Sequence, residues 1–399
     1  MRALISGAGV AGPVLAHWLH RSGWEVTVAE QAADPRAGDG GHAVDLFGPA
    51  VDVIDRMGLY ERVHAARTRN DTVTLLRPGR APVVLPTADV AAGFTDRHIE
   101  VMRGALAGML HDASRDHADY RFGTVVEQWD GGSALLSDGT SVDADVLIGA
   151  DGLHSGVRAL VFGPESRFRR FLGGYLGVYS LPDVLGTGAT VAAFAAPNVL
   201  AAVYPTLVPG RCRAVLLVRT PREIAVDRRD PAAQRAALRG LVGDTLDTRA
   251  DAVLAHLDTA DDLYFDDISQ IWMDSWSSGR ATLVGDAGYG PGPAVGGGTS
   301  LAAVGAYLLA AELAEAGRDG VPDALRRYEA ALADPVRHSR RVGPSMLNSL
   351  VPRNRAQVWL TAQAMRLIPR LPVPVRRRLT SFGGGPAAML DGLTLPAEP

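Results

Sequence analysis

The pattern of apolar and polar positions in the first thirty residues predicts a strand, a helix and a second strand. Residues 2–6 are an apolar run of strand length, residues 10–22 carry apolar side chains at helical spacing, and residues 24–30 alternate. Gly23 ends the predicted helix. A strand, a helix and a strand in this order predict a right-handed unit with parallel strands.

Two kinds of segment follow along the rest of the chain. Helical spacing recurs over residues 49–58, 101–115, 231–242, 249–257 and 296–316, and helical structure continues to about residue 371. Strand-like runs cover residues 72–86, with a hairpin turn at 78–79, and residues 122–147, 173–219, 268–276 and 281–284. The runs from 173 to 219 form a sheet-rich insertion. The pattern therefore predicts an α/β fold.

Composition excludes several classes of protein. The chain has 399 residues, of which 47% are hydrophobic, and this length allows about two or three domains. A net charge of -4 gives no broad positive field for nucleic acid. The sequence contains no lysine, so all 40 basic residues are arginine. Enzymes that need a lysine amine for a Schiff base or a Walker loop are therefore excluded.

Cysteine content and hydropathy indicate the compartment. Cys212 is the only cysteine, which excludes an internal disulfide, a CxxC redox pair and a cysteine-based metal site, and favours a reducing cytoplasm. Glycines or charges interrupt the apolar stretches at residues 3–19 and 294–317, whereas a membrane span needs about 20 mostly apolar residues. We therefore expect a cytoplasmic protein without a membrane span.

A GxGxxG loop lies between the first predicted strand and helix. Gly7, Gly9 and Gly12 permit a tight turn, close approach of a diphosphate and close packing of the helix on the strand. The helix N-terminus offers N–H groups and a partial positive charge to the diphosphate. Glu30 ends the second strand, where its carboxylate accepts hydrogen bonds from a ribose diol. A dinucleotide site is predicted, and both FAD and NAD use this opening.

Two later motifs bear on the choice between FAD and NAD. Residues 145–158 are a strand that leads through Asp151 and a glycine into a helix containing Arg158. Residues 285–300 are a glycine-rich segment between a strand and a long helix. Asp286 in this segment can bind a ribose or ribityl hydroxyl, while the helix start presents N–H groups to an electron-rich ring edge.

In this order, the three motifs resemble those of the FAD-dependent (class A) aromatic monooxygenases of the para-hydroxybenzoate hydroxylase fold. The chain is most similar to the tetracycline-modifying and polyketide-tailoring hydroxylases of that family, over nearly its whole length. The resemblance implies a Rossmann-like FAD domain interleaved with a β-sheet substrate domain, plus a C-terminal helix. The implied segments are 1–70, 98–165 and 272–335 for the FAD domain, 71–97 and 166–271 for the substrate domain, and 336–399 for the C-terminal helical segment and tail.

The resemblance also implies which residues contact each part of FAD. Glu30 corresponds to the residue at the adenosine ribose, and Asp286 to the one on the ribityl or ribose side. Pro293, Gly296 and Gly298 match the loop that meets the isoalloxazine.

Four further residues match family positions near the cofactors. Arg103 matches an arginine that contacts the flavin chain, and Asp45 resembles a flavin-proximal acid of the tetracycline-modifying group. Asp151 and Arg158 fit the motif tied to both FAD and the nicotinamide cofactor. Because the chain has no lysine, any contact with an FAD phosphate or with NADPH must come from arginine or from backbone N–H groups, which makes Arg103 and Arg158 the positions to test.

The segment 285–300 departs from the family pattern at three positions. Gly288 and Tyr289 stand where Ala-His is common, and Gly297 replaces a larger residue. We expect these positions to lie near the flavin ring, where they loosen the loop or open space for substrate.

No second GxGxxG followed by an acid is present, so NADPH or NADH is expected to reach the flavin without a Rossmann domain of its own. The resemblance implies that NAD(P)H reduces FAD, that O2 adds at the flavin C4a, and that the hydroperoxide hydroxylates an aromatic or polyketide-like small molecule. An FAD-dependent oxidase or dehydrogenase acting without oxygen insertion, and a non-catalytic flavoprotein, are the alternatives.

The sequence singles out no catalytic base. His42, Tyr204 and Tyr289 are weak candidates for approaching the phenol of a hydrophobic aromatic substrate, and each also fits a packed or surface position. A monomer or homodimer is expected.

Overall fold

The computed structural model describes residues 1–35, 41–87, 89, 97–293, 296–372, 390 and 392–399. Its strands and helices are interspersed along the chain, so the α/β class is confirmed. Among the helices in these ranges, none is long and apolar enough to cross a bilayer. Part of the C-terminal segment expected over 336–399 lies outside the described residues.

The elements have the following bounds. The strands are β1 (Arg2–Ser6), β2 (Glu25–Glu30), β3 (Ala43–Phe47), β4 (Thr72–Arg77), β5 (Arg80–Pro86), β6 (His98–Met102), β7 (Asp119–Phe122), β8 (Val126–Trp129), β9 (Ser133–Leu136), β10 (Ser141–Asp143), β11 (Val146–Gly149), β12 (Arg169–Pro182), β13 (Thr190–Ala196), β14 (Val199–Pro205), β15 (Arg211–Arg219), β16 (Tyr264–Ile271), β17 (Ser277–Ser278) and β18 (Ala281–Leu283). The helices are α1 (Ala11–Arg21), α2 (Gly48–Arg56), α3 (Tyr60–Ala65), α4 (Arg103–Asp112), α5 (Gly156–Phe162), α6 (Pro231–Val242), α7 (Ala250–Ala255), α8 (Asp286–Tyr289), α9 (Gly298–Ala314), α10 (Val321–Leu350) and α11 (Arg355–Leu367).

A mostly parallel sheet carries the glycine loop. Within the described residues its strand order is β17-β18-β11-β1-β2-β7, and β1 pairs in parallel with both β2 and β11. Helix α1 connects β1 to β2, so the predicted strand–helix–strand unit is confirmed. Trp18 and Leu19 of α1 are fully buried, and α1 packs against α9. The loop before α1 therefore lies at the carboxyl ends of parallel strands, where ligands of such sheets bind.

A second sheet is built from residues 72–86 and 169–271. Its order, over the part of the chain that is described, is β16-β12-β15-β14-β13-β4-β5. One face packs on α6 and α7 through Leu238 and Leu254. The other face packs on α10 and α11 through Leu347 and Ala362. Edge strand β16 contacts α8, so this strand joins the two sheets.

Three element boundaries differ from the predicted ones. Val101 belongs to β6 rather than to a helix, because it pairs with Val44 of β3 in a register that the local pattern does not reveal. Strand β16 begins at Tyr264, four residues earlier than predicted, and ends at Ile271. Helix α9 begins at Gly298, because the two glycines before it have positive φ.

Helix α10 continues through Pro335 and Pro344. A proline has no N–H, so the carbonyl four residues earlier loses its helical hydrogen bond. For Pro344 that carbonyl belongs to Arg340, and Nε2 of Gln270 donates to it at 3.2 Å. A side chain from β16 therefore replaces the missing backbone donor.

Candidate functional site

Gly7 and Gly12 close the turn between β1 and α1. Gly7 has a φ of 108°, and a Cβ there would overlap the carbonyl oxygen of Ala150. A Cβ on Gly12 would overlap the carbonyl oxygen of Gly7. At Gly9, by contrast, a Cβ would meet no atom within 4 Å. The first turn of α1 has neither a side-chain cap nor an acidic residue, which leaves its positive end for an anion.

Glu30 is buried at the end of β2, where backbone groups orient its carboxylate. The Ala8 N–H donates to Oε2 at 2.7 Å, and the Ala32 N–H donates to Oε1 at 2.9 Å. A small cavity lies beside this carboxylate. It is lined by Ala8, Glu30, Pro35, Ala107, Gly108, His111 and Phe122. The cavity thus combines an acid, backbone of the glycine turn and two aromatic rings, a set of groups that suits a nucleoside.

The segment 285–300 brings an acid next to the start of α9. Asp286 begins the short helix α8, and a Cβ added at Gly298 would lie 3.8 Å from Oδ1 of Asp286. Pro293 is exposed, while Gly296 and Gly298 are partly exposed. An anionic or hydroxyl-bearing ligand at the N-terminus of α9 would therefore lie near Asp286 as well.

Ser300 attaches α9 to β3, the strand that carries Asp45. Its hydroxyl donates to the Asp45 carbonyl oxygen at 2.8 Å and accepts from the Phe47 N–H at 3.0 Å. The Asp45 carboxylate lies 2.6 Å from Nε2 of His98 on β6. Burial, followed by the charge of Asp45, raises the pKa of the neighbouring Glu100 carboxyl. Sequence reasoning found Asp45 but missed His98 and Glu100, because their proximity depends on the pairing of β3 with β6.

Arg103 lies within electrostatic reach of both Asp286 and His42. The Asp286 side chain is exposed to water, but protein atoms surround it on several sides. The resulting desolvation of the carboxylate raises its pKa, and the charge of Arg103 partly offsets this effect. The same burial lowers the pKa of the half-buried His42 to about 4, and the Arg103 charge adds to this shift. The Arg103 N–H also donates to the His42 carbonyl oxygen at 3.0 Å. At pH 7, His42 is therefore a neutral imidazole beside a guanidinium.

Tyr264, which sequence reasoning missed, lies within electrostatic reach of Arg103 and Asp286. It is 39% exposed at the start of β16, and both Arg103 and Asp286 act on its phenol. Desolvation by the surrounding protein atoms raises the pKa of the Tyr264 phenol, and the charge of Asp266 adds to this shift. Its hydroxyl donates to Oδ2 of Asp266 at 3.2 Å. The available signal was the alternation of Tyr264, Asp266 and Ile268, which extends the predicted strand toward the N-terminus.

Asp151 organises the start of α5. The Ser155 hydroxyl donates to Oδ1 at 2.5 Å, and the Val157 N–H donates to Oδ2 at 3.1 Å. Ser155 in turn caps the helix by accepting from the Arg158 N–H at 2.9 Å. Desolvation by burial raises the pKa of Asp151. These bonds make Asp151 part of the turn that follows β11.

The Arg158 side chain is turned into the protein, and its part in the cofactor motif stays a prediction. Its side chain has no solvent exposure. Nη1 donates to the Ala287 carbonyl oxygen at 2.8 Å. Nη2 donates to the Leu153 carbonyl oxygen at 2.7 Å and to Oε2 of Glu165 at 3.1 Å. Arg158 thus fastens α5 to Ala287, the residue after Asp286, and its side chain is closed off from solvent.

Tyr289 and Gly288 are buried in the core, and their predicted position near the flavin ring stays a prediction. The Tyr289 hydroxyl is 2.8 Å from that of Tyr328, which donates to the Leu283 carbonyl oxygen at 3.1 Å. A Cβ on Gly288 would lie 3.1 Å from Cβ of Trp276. These departures from the family pattern accommodate Trp276 beneath the segment 285–300.

Tyr204 links the second sheet to the two-stranded sheet of β3 and β6. It is buried, and its hydroxyl accepts from the Ala43 N–H of β3 at 2.9 Å. Burial also raises the pKa of its phenol. Both features disfavour Tyr204 as a base and indicate a structural role.

An ionic cluster joins the turn after β11 to β16. Nε2 of His154 lies 2.9 Å from Asp266 Oδ2, and Nδ1 lies 2.9 Å from Glu165 Oε2. Arg228 Nη1 lies 2.8 Å from the same Nδ1, and its Nη2 donates to Asp267 at 2.9 Å. Burial alone would lower the pKa of His154, but its bonds with Asp266 and Glu165 outweigh burial and raise the pKa to about 9.

We expect this cluster to make stability depend on pH above neutrality. Because the pKa of His154 is raised, the stabilisation from its charged imidazole is complete below the ordinary value of 6.5 and is lost as pH rises through about 9. Because the imidazole is partly exposed, the loss is about 1 kcal/mol. Urea unfolding of the protein from pH 6 to 10 measures it. The variant His154→Asn should flatten this dependence, and an unchanged slope would contradict the assignment to His154.

Comparisons with known proteins agree with this geometry. Residues 1–338 match the family described as "FAD binding domain". An uncharacterized protein of Mycobacterium tuberculosis is 38% identical over 79% of this chain and 86% of its own length. A flavin-dependent monooxygenase of Legionella longbeachae is 32% identical over 86% of this chain and 88% of its own.

Among solved structures, the tetracycline destructase Tet(51) superposes with a TM-score of 0.78 and 29% identity, and the match covers 100% of this chain and 99% of that one. The match includes both sheets and the C-terminal helices of this fold. The extent of the family match and the coverage of these relatives lead to one conclusion: this chain is an enzyme that belongs to the FAD-binding family of flavin-dependent monooxygenases.

Proposed function

We propose that FAD lies along the line from the Glu30 cavity to the N-terminus of α9. The nucleoside would lie against Glu30 and the other groups that line the small cavity, and the diphosphate would approach Gly9 and the start of α1. Arg103 and Asp286 contact the chain that leads to the ring, and Gly296 and Gly298 border the ring itself. The opening above Gly9 supports this placement, because the other two glycines of the loop have no such space.

We further propose that the enzyme transfers one oxygen atom from O2 to an aromatic ring. The balance is substrate C–H plus O2, NAD(P)H and a proton giving substrate C–OH, NAD(P)+ and water. Bound FAD supplies the redox chemistry and the activation of O2. The residues of this chain orient both reactants and hold charge, and the N-terminus of α9 stabilises negative charge at the ring edge.

The register of the second sheet supports a flat, mostly apolar substrate. Tyr264 pairs with Val178, Val178 with Val215, and Val215 with Ala202, so these four side chains point to one face of the sheet. Three strand spacings give a row about 14 Å long. Val215 and Ala202 lie on central strands and are nevertheless partly exposed. Val178 is 1% exposed and packs with Leu347 of α10, so the positions of this row open to a planar ring are Ala202, Val215 and Tyr264.

Two groups are candidates for moving a proton of a bound phenol. His42 is neutral at pH 7, because burial and the Arg103 charge lower the pKa of its imidazole, so it can accept a proton only weakly. The Tyr264 hydroxyl can accept a hydrogen bond from a substrate while it donates to Asp266. Tyr264, Asp286 and Arg103 lie within electrostatic reach of one another, and this grouping of a phenol with an acid and a guanidinium is the observation that carries the proposed function.

The reaction is tested with the purified protein in three measurements. We expect a yellow protein with a flavin spectrum, oxidation of NADPH or NADH that a phenolic or polycyclic ligand accelerates at least tenfold, and one atom of labelled O2 in the product. Substrate oxidation without label would indicate an oxidase or dehydrogenase instead. A protein that takes up no FAD would contradict the proposed function altogether.

A further inference from the structure

A buried glutamine lies where β16, the segment 285–300 and α10 meet. Gln270 is 1% exposed. Its Nε2 donates to the carbonyl oxygens of Pro291 at 3.0 Å and Arg340 at 3.2 Å, and its Oε1 accepts from Nε1 of Trp272 at 2.9 Å. The indole N–H can only donate and the carbonyls can only accept, so the amide has a single orientation. All three of its described bonds depend on that orientation.

Helix α10 has two adjacent residues that accommodate this amide. Gly343 leaves space for it, because a Cβ at this position would overlap Nε2 of Gln270. Pro344 has no N–H, which leaves the Arg340 carbonyl without its helical donor and available to Gln270. A glycine followed by a proline inside a long helix costs helix stability at both positions. The contact with Gln270 accounts for both residues.

The same strand also holds the backbone around Pro291. The Ile271 N–H donates to the Gly290 carbonyl oxygen at 3.0 Å. A Cβ on Gly292 would lie 3.0 Å from the Ser269 carbonyl oxygen, so the segment passes directly against β16. Three successive residues of β16 therefore contact three successive residues of the segment. Within this contact, Gln270 is the side chain that also reaches α10.

We propose that Gln270 is a positioning residue for the flavin: it locks Pro291, and with it the described residues 285–293, to the substrate-domain strand β16 and to α10. This inference rests on the proposed placement of the flavin ring beside that segment. Through Gln270, the position of the ring edge is set jointly by the substrate sheet and by the C-terminal helix. Neither the glycine motif nor Asp286 provides this connection.

The variant Gln270→Leu tests the proposal, because leucine fills the space but donates no hydrogen bond. We expect the dissociation constant of FAD to rise at least tenfold, the reduction potential of bound FAD to shift, and the fine structure of the flavin absorption bands to change. Gln234→Leu is the matched control. Gln234 is also buried and bonded through Nε2, to the Arg228 carbonyl oxygen at 2.7 Å, but it lies on α6 away from the segment 285–300. The control should bind FAD within twofold of the wild type.

A second variant, Gly343→Ala, keeps the proposal testable if Gln270→Leu does not fold. Alanine favours a helix over glycine, so α10 itself is not weakened, but the new Cβ displaces the amide. We expect at least a threefold loss of FAD affinity and a potential shifted in the same direction. Wild-type affinity, potential and spectrum in the variants would overturn this inference, as would an equal effect of Gln234→Leu. A wild type that binds no FAD would instead contradict the proposed function.

Discussion

Gly9→Val is expected to abolish tight FAD binding while the apoprotein stays folded. A Cβ at Gly9 meets no protein atom within 4 Å, and its φ is not in the positive region, so the substitution creates no internal clash. The valine methyls would instead occupy the space proposed for the diphosphate. We expect the dissociation constant of FAD to rise about 100-fold, which corresponds to about 3 kcal/mol of binding free energy. The free energy of unfolding of the apoprotein should change by about 0.5 kcal/mol or less.

Two further glycine variants separate ligand effects from folding effects. Gly240→Val on α6 adds the same side chain at a position that also has no atom within 4 Å, and it should leave FAD binding unchanged. Gly12→Val should unfold or strongly destabilise the protein, because its Cβ overlaps the Gly7 carbonyl oxygen. Titration of FAD by flavin fluorescence and urea unfolding by circular dichroism measure the two quantities. Normal FAD affinity in Gly9→Val would mean that the diphosphate lies elsewhere.

The local part of this fold was predictable because short-range patterns determine it. The glycine spacing at residues 7–12, followed by a helix and by Glu30, identifies the strand–helix–strand unit, and the structure has it at nearly the predicted bounds. The hairpin at residues 72–86 and helix α6 also follow from their turn and cap residues. Each of these elements depends on neighbours within a few positions in the chain.

The less predictable part of the candidate site depends on pairings that are remote in sequence. His98 lies beside Asp45 only because β6 pairs with β3, and Tyr264 comes within electrostatic reach of Asp286 only because β16 is an edge strand that contacts α8. Likewise, the role of Gln270 follows from a proline in a helix 74 residues later. No periodicity within one element contains this information.

Arg158 shows a different limit, because its motif was recognised but the direction of its side chain was not. If Arg158 contacted NADPH at the surface, Arg158→Leu would raise the KM for NADPH and leave stability unchanged. The structure leads to the opposite expectation. Removing the guanidinium leaves the carbonyl oxygens of Ala287 and Leu153 and the carboxylate of Glu165 without this donor. Unpaired buried acceptors and a broken ion pair destabilise the folded state by about 3 kcal/mol.

Urea unfolding of the apoprotein distinguishes the two alternatives, with Arg167→Leu as a neighbouring control. Arg167 is exposed, and the one described hydrogen bond of its side chain is to the Phe162 carbonyl oxygen, so the loss of this side chain should change stability by less than about 1 kcal/mol. Arg158→Lys should remain destabilised, because one ammonium cannot serve all three acceptors of a planar guanidinium. Since Ala287 directly follows Asp286, Arg158→Leu should also weaken FAD binding. Unchanged stability together with a raised KM for NADPH would restore Arg158 as a direct ligand of the nicotinamide cofactor.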